Sequence, residues 1–460
     1  MQRASLRMRL GGMTAAVVTA CATVLVSQAP AAAVTGPPPQ ASSFDHALYW
    51  NGVLLDAFRQ AQGVDAEPQK LARAAAMMNI AMHDANWPAA PRTYLPRITQ
   101  QHPDDSIEAT MDAAAHGVLA SLFPKERFPN LNLQKALDDA MAQIPSWVDP
   151  ARIAGGKADG EKIASLMIAE RAGDTPAFDP AYTPDGVPGS WRPTDSKPVA
   201  GPNWSRIKPF AMTSATQFRP PLPNGAISYD QLLRSPAYAA QVNEVKVKGA
   251  ANAPLSARSA DQTQAAFFWA NDVDGTYKPM GQLLNITIDI AKRKGLKQSE
   301  NAELFNLVSM ALADAALVAW GAKFATPIDL WRPETAIREA GTDNNGATDA
   351  DPAWRPLSRD RAGVNFSPPF PAYVSGHATF GGAWAGVMQR WFGHDFAFTA
   401  TTEDPNANPK TRSFPSFAAA AEENALSRIY LGVHYRWDAD GGLESGFELG
   451  EFVYVTRRDQ

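Results

Sequence analysis

Apolar residues recur at a three-to-four-residue spacing over most of this chain, and that period admits helices and little else. From Phe44 to about Ala90 it runs through LYWNGVLLDAFRQA and QKLARAAAMMNIAMHDAN, and it continues near 106–122, 131–144 and 155–172. This half is alanine-rich with few β-branched runs, which favours helix. A second series is expected at 230–249, 259–272, 278–294, 300–322, 333–340, 377–392, 416–431 and 441–456. Between the two, Asp174 to about Ile227 is studded with proline and aromatic residues. A structureless connection of that length is uncommon inside a compact domain. Trp191, Trp204, Phe210 and Phe218 also need burial, so the segment is expected to wrap the fold along an ordered path. The expected class is all-α: two packed helical bundles joined by a long irregular segment. The N-terminal bundle with its wrapping segment is assigned to 44–229, and the C-terminal bundle to 230–460.

Residues 1–33 read as a secretory signal peptide. Arg3, Arg7 and Arg9 form a charged start, Met13 to Val26 an apolar stretch too short to span a bilayer, and Ala31-Ala32-Ala33 a small-residue cleavage site. Residues 34–43 are a flexible lead-in. The expected location is extracellular or periplasmic, and no later stretch is expected to cross a membrane. The single cysteine, Cys21, lies in the leader. Val18-Thr19-Ala20-Cys21 resembles a lipoprotein box, although the apolar run continues beyond it. The mature chain would then have no disulfide and no thiolate metal site. The net charge of −5 becomes −8 without the three leader arginines, so nucleic acid is not an expected partner.

Three segments carry basic and hydroxyl residues that apolar packing does not explain. In the first, Lys323 falls at a helix end and Arg332 precedes Pro333, a residue suited to the first helical position. The second is Ser375-Gly376-His377, inside PPFPAYVSGHATFGG. Ser375 suits a helix N-cap, and a helix start offers unpaired N–H groups to an anion. The third is Ser427-Arg428 through Gly432 and His434 to Asp438. Six helical residues at about 100° each would put Arg428 and His434 roughly 120° apart. If both face one site the helix must stop between them, and Gly432 is the natural stop. One lysine, two arginines, a hydroxyl, a helix start and two histidines make a cage for a tetrahedral oxyanion. One histidine can attack or coordinate the central atom, and the other can act as acid or base.

These segments resemble the vanadium-dependent haloperoxidases and the acid phosphatases of the same fold, the type-2 phosphatidic acid phosphatase superfamily. The family pattern is a lysine, six residues and Arg-Pro, then Ser-Gly-His, then an arginine, five residues and a histidine. Ser375-Gly376-His377 and Arg428 with His434 fit it. Lys323 and Arg332 depart from it, with eight residues between them, and Val374 replaces the usual proline. PPFPAYVSGHATFGGA and ENALSRIYLGVHYRWDA are similar to fungal vanadium chloroperoxidase, including Trp320 and Phe370. YWNGVLLDAFR, PGSWRPT, QFRPPLP and DQTQAAFFW resemble secreted bacterial haloperoxidases.

The resemblance implies vanadate as cofactor with phosphate as competitor. His434 would be the vanadium ligand, and Lys323, Arg332, Ser375, the Gly376 amide and Arg428 would hold the oxygens. His377 would be the acid–base residue toward hydrogen peroxide, and Trp320 and Phe370 would line the halide side. Asp261 is the candidate carboxylate partner of Arg428. Substrates would be hydrogen peroxide, halide and a small organic molecule, and the bacterial relatives suggest a homodimer.

On the same cage a phosphate ester would make His434 a phosphohistidine nucleophile, so a phosphatase stays open. So does an oxyanion-binding protein without turnover. His434 with Asp438 could begin a zinc site, but seven histidines and no mature cysteine leave the remaining ligands hard to find. Ser375 lacks the Gly-x-Ser-x-Gly context of a hydrolase nucleophile. His83-Asp84 reads as structural, and His46, His102, His116 and His394 join no constellation.

Overall fold

The computed structural model describes residues 44–86, 93–96 and 104–459. The leader, the lead-in with Cys21 before it, and His102 lie outside these. In chain order the first helices are α1 (His46–Gln60), α2 (Pro68–Ala85), α3 (Ile107–Leu122), α4 (Leu133–Met141) and α5 (Pro150–Glu170). After the irregular segment come α6 (Tyr229–Leu233), α7 (Pro236–Lys248), α8 (Ala260–Ala270), α9 (Lys278–Lys294), α10 (Gln298–Phe324) and α11 (Pro333–Arg338). The chain closes with α12 (Gly376–Phe392), strands β1 (Phe398–Thr401) and β2 (Thr411–Phe414), α13 (Phe417–Tyr430) and α14 (Arg436–Tyr454). The class is helical as expected, with one addition. β1 and β2 pair antiparallel, Phe398 opposite Phe414, and their phenylalanines pack on Trp384, Trp269 and Phe417.

Helices α2, α3 and α5 pack together, as do α12, α13 and α14, and α10 packs against both α2 and α12. Its length and hydropathy match those of a bilayer span, contrary to the sequence expectation. Its apolar window is wholly buried within the fold. Asp314 in that window accepts the amides of Phe210, Ala211 and Met212 at 2.7, 2.7 and 2.8 Å, which ties down the wrapping segment. A buried carboxylate with three N–H donors replaces its lost hydration. Trp191, Trp204 and Phe210 are buried, as their size demanded.

Close approach of α12 and α14 depends on glycine. A Cβ on Gly446 would sit 2.3 Å from the Thr379 carbonyl oxygen, and one on Gly450 2.2 Å from that of Ala383. These backbone contacts fix where α12 begins, and therefore where Ser375 to His377 lie.

Candidate functional site

Ser375 caps α12. Its Oγ accepts the Ala378 amide at 3.3 Å, its own amide donates to the Asp438 carbonyl at 2.9 Å, and its hydroxyl proton stays available to an outside acceptor. At the C-terminal side, α13 ends at Tyr430 and Gly432 takes φ +81°, the left-handed turn that glycine allows. Arg428 thus projects from the last turn of α13 and His434 from the following loop, the break that their spacing required.

A narrow pocket brings the first residues of α12 together with Arg428 and His434. Its polar wall is Asp272, Gly376, His377, Arg428 and His434. Its apolar wall is Trp320, Phe370 and Phe380 with three prolines, Pro68, Pro279 and Pro368. Trp320 lies 5.0 Å from Phe370 and 6.3 Å from Phe380, centroid to centroid. Its indole N–H is anchored on the Ala200 carbonyl at 2.9 Å. A larger cleft of about 1000 Å³ lies elsewhere, lined by residues of α1, α4 and α9, and shares no residue with this pocket.

The tautomers follow from the partners. Arg332 Nη1 can only donate, so His434 Nε2, 3.0 Å away, accepts. The ring proton therefore sits on Nδ1, 2.9 Å from Asp438 Oδ2, which also accepts the Tyr435 amide at 3.0 Å. Burial, with Arg332, Lys323 and Arg428 nearby, holds His434 well below the ordinary histidine value, while burial pushes Asp438 up to about 7. His434 is thus neutral, the form a metal needs, with its Nε2 lone pair taken by Arg332 Nη1 in this structure. His377 Nε2 is 3.2 Å from the Ala270 carbonyl, which can only accept, so Nδ1 carries its lone pair. Burial and Arg428 lower the His377 pKa to about 4.

Donors without acceptors mark the ligand. Arg332 Nη2 and Arg428 Nε and Nη1 are buried and have no partner. An unsatisfied buried group costs about 1–3 kcal/mol, more when charged. Three beside a neutral imidazole fit a tetrahedral oxyanion better than any protein group in reach. Arg332 also donates through Nε to the Phe370 carbonyl at 2.7 Å and through Nη1 to that of Val433 at 2.8 Å, and burial lowers its pKa to about 9.

One sequence expectation changes. Asp261 is not the partner of Arg428. It is exposed in the first turn of α8 and pairs with Arg412 at 2.9 Å. Arg428 Nη2 instead meets Asp272 Oδ2 at 2.8 Å, and Asp272 Oδ1 lies 4.0 Å from His377 Nε2. The two aspartates are eleven positions apart, about 16 Å along a helix, and only the one beyond the end of α8 reaches the pocket. Arg428 holds Asp272 below the usual carboxylate range. Lys323 is buried at the base of the cluster, but its Nζ donates to the carbonyls of Pro371 (2.8 Å), Ala372 (3.0 Å) and Val374. Burial, with Arg332 close by, lowers its pKa well below the ordinary lysine value. Between Lys323 and Arg332, α10 ends at Phe324 and a loop follows, in which Thr326 Oγ1 donates to the Ala322 carbonyl at 2.9 Å.

Asp272 and the prolines at the helix starts were not singled out from the sequence. The aspartate stands one residue after Asn271, whose φ of +44° ends α8, and an aspartate just past a helix stop was its only signal. Among the remaining histidines, His46 pairs with Asp112 at 2.8 Å, and His83 with Asp84 at 3.1 Å. Asp84 also accepts the amides of Tyr94 and Leu95, which suits a structural role.

Residues 303–460 match the family model described as the VCPO second helical-bundle domain. The chain is 28% identical to the vanadium chloroperoxidase of Curvularia inaequalis, over 87% of this chain and 80% of the relative. A bacterial vanadium-dependent iodoperoxidase superposes with a TM-score of 0.71 at 26% identity, covering 89% of this chain and 95% of that one. A holo bacterial vanadium-dependent chloroperoxidase shares the fold, with a TM-score of 0.60 at 16% identity over 92% and 94% of the two chains. Fold and pocket define a helical-bundle protein built around a buried cationic cage. Together these similarities support a vanadium haloperoxidase-like protein.

Proposed function

We propose that the chain is a vanadate-dependent haloperoxidase, which oxidises halide with hydrogen peroxide to a hypohalous acid equivalent that halogenates small organic substrates. The observation that carries this reading is the set of partnerless guanidinium N–H groups on Arg332 and Arg428 beside the unprotonated Nε2 of His434. Arg332, Arg428, the Gly376 amide and the Ser375 hydroxyl would hold the oxygens of vanadate, with His434 Nε2 as metal ligand. Vanadate, when bound, supplies a Lewis acid that polarises peroxide for oxygen transfer to halide. The chain's own groups do the rest. His377 Nδ1 can take the proton that hydrogen peroxide gives up and return it to the leaving oxygen. Asp438 fixes the His434 tautomer, and Asp272 orients Arg428. Trp320, Phe370 and Phe380 keep the halide side apolar, which limits competing water.

The test is a pair of assays on metal-free protein. Bromination of monochlorodimedone with bromide and hydrogen peroxide is expected only after orthovanadate is added, and phosphate should suppress it. Hydrolysis of p-nitrophenyl phosphate that vanadate inhibits, with no halogenation, would reassign the cage to a phosphatase. The leader-like opening supports export from the cytoplasm, which N-terminal sequencing of the mature protein would check.

A further inference from the structure

Two neighbours of one residue serve the pocket at the end of α8. The Ala270 carbonyl lies 3.2 Å from His377 Nε2, and Asp272 Oδ2 accepts Arg428 Nη2 at 2.8 Å. Asn271 stands between them in a left-handed turn, with φ +44°. That turn stops the helix, so the Ala270 carbonyl has no donor within α8 and is free to take an outside one. Glycine adopts this conformation without steric cost; what asparagine adds is its side chain. Nδ2 donates to Gln282 Oε1 of α9 at 2.9 Å and to Thr402 Oγ1, just past β1, at 3.0 Å. The Phe268 carbonyl, 3.3 Å from Nδ2, is taken by Gln282 Nε2 at 2.9 Å. The backbone is held as well. The Asn271 amide donates to Asp404 Oδ2 at 3.1 Å, and its carbonyl accepts Thr276 Oγ1 at 3.0 Å. Thr402 Oγ1 also accepts the Asp404 amide at 3.2 Å, so one hydroxyl joins the two groups that grip the turn. Asn271 is fully buried, and a partner lost there leaves a polar group unpaired.

We infer that Asn271 is a positioning residue for the acid–base histidine. Its side-chain bonds to Gln282 and Thr402 hold the turn that aims the Ala270 carbonyl at His377 and the Asp272 carboxylate at Arg428. The β1–β2 hairpin thereby acts on the pocket, because the chain leaving β1 brings Thr402 and Asp404 to that turn. This deepens the function proposed above and rests on its assignment of His377 as acid and base.

Four variants test it. Asn271→Gly keeps the left-handed turn and removes the side chain. Thr402→Val removes the hydroxyl at nearly constant shape, and Thr402→Ser keeps it. Thr110→Val, which deletes a buried hydroxyl bond to the Ser106 carbonyl in the N-terminal bundle, controls for lost stability alone. In anion-free protein, nitrogen NMR of the His377 ring should show a single Nε2–H tautomer in the unaltered chain, in Thr402→Ser and in Thr110→Val. Asn271→Gly and Thr402→Val should show both tautomers, because the Ala270 carbonyl is no longer fixed opposite Nε2. Equilibrium dialysis should give an orthovanadate Kd about tenfold weaker in those two, and within about twofold of the unaltered value in the others. A single tautomer and an unchanged Kd in Asn271→Gly would refute the inference, since the turn would then hold itself. Equal losses in Thr402→Val and Thr110→Val would refute it too, as general destabilisation. Should Asn271→Gly not fold, the two Thr402 variants decide. If the unaltered protein binds no orthovanadate, the function proposed above fails instead, and the His377 tautomers alone decide the role of Asn271.

Discussion

His434 is held as one neutral tautomer by its two partners: Asp438 takes the Nδ1 proton, and Arg332 Nη1 donates to Nε2, so a metal at Nε2 would displace that N–H. Replacing His434 by alanine should lower vanadate-dependent bromination by about a thousandfold or more, with the helical circular dichroism retained. His377 is the second residue whose protonation is set by its surroundings. Its pKa of about 4 in the fold lies below the 6.5 of an exposed ring. The unfolded chain therefore binds that proton more tightly, and the stability at stake is complete above about pH 6.5 and lost as pH falls toward 4. In anion-free protein, NMR should show the His377 ring titrating near 4. Asp272 raises that value, so Asp272→Asn should move it lower still. The same change should weaken orthovanadate binding by about 10–100-fold, since it loosens the orientation of Arg428. Ser375, His377, Arg428 and His434 were legible in the sequence because short-range spacing and helix ends constrain them. Asp272 was not, because its link to Arg428 spans 156 residues and has no local pattern.

At the scale of elements, the pocket is assembled from helix ends, and ends depend on caps. Caps also explain where the expected boundaries drifted. Asp149-Pro150 starts α5 five residues before the apolar run suggests. Ser235-Pro236 divides the expected 230–249 helix into α6 and α7. α14 begins at Arg436, ahead of the expected 441, because Asp438 folds back on the Tyr435 amide. The β1–β2 hairpin went unseen because four-residue strands carry little periodic signal. The glycines of α14 act at this scale too. Gly446→Ala forces a Cβ against backbone and should cost about 2–3 kcal/mol. It should also weaken orthovanadate binding, because α12 would shift. Gly52→Ala in α1, where nothing lies within 4 Å, should instead stabilise by up to about 1 kcal/mol. Chemical denaturation of the two variants checks both signs.

For the molecule as a whole, α10 packs against both groups of helices, and its C-terminal turns place Trp320 and Lys323 beside the pocket. The starts of α2 and α9 contribute Pro68 and Pro279, so chain regions hundreds of residues apart close one small volume. Helical class and the ordered wrapping segment followed from periodicity and from aromatic residues that had to be buried. The convergence of these ends did not, because it depends on packing that no single stretch encodes. What this architecture produces is a buried cationic cage beside two neutral imidazoles, His434 and His377. Its central consequence is measured most directly by titrating orthovanadate into metal-free protein while following bromide oxidation by hydrogen peroxide. The account predicts no oxidation before vanadate, saturation at one vanadate per chain, and competitive loss of activity on adding phosphate. Bromide oxidation that is independent of vanadate, or a vanadate response that phosphate does not touch, would contradict it.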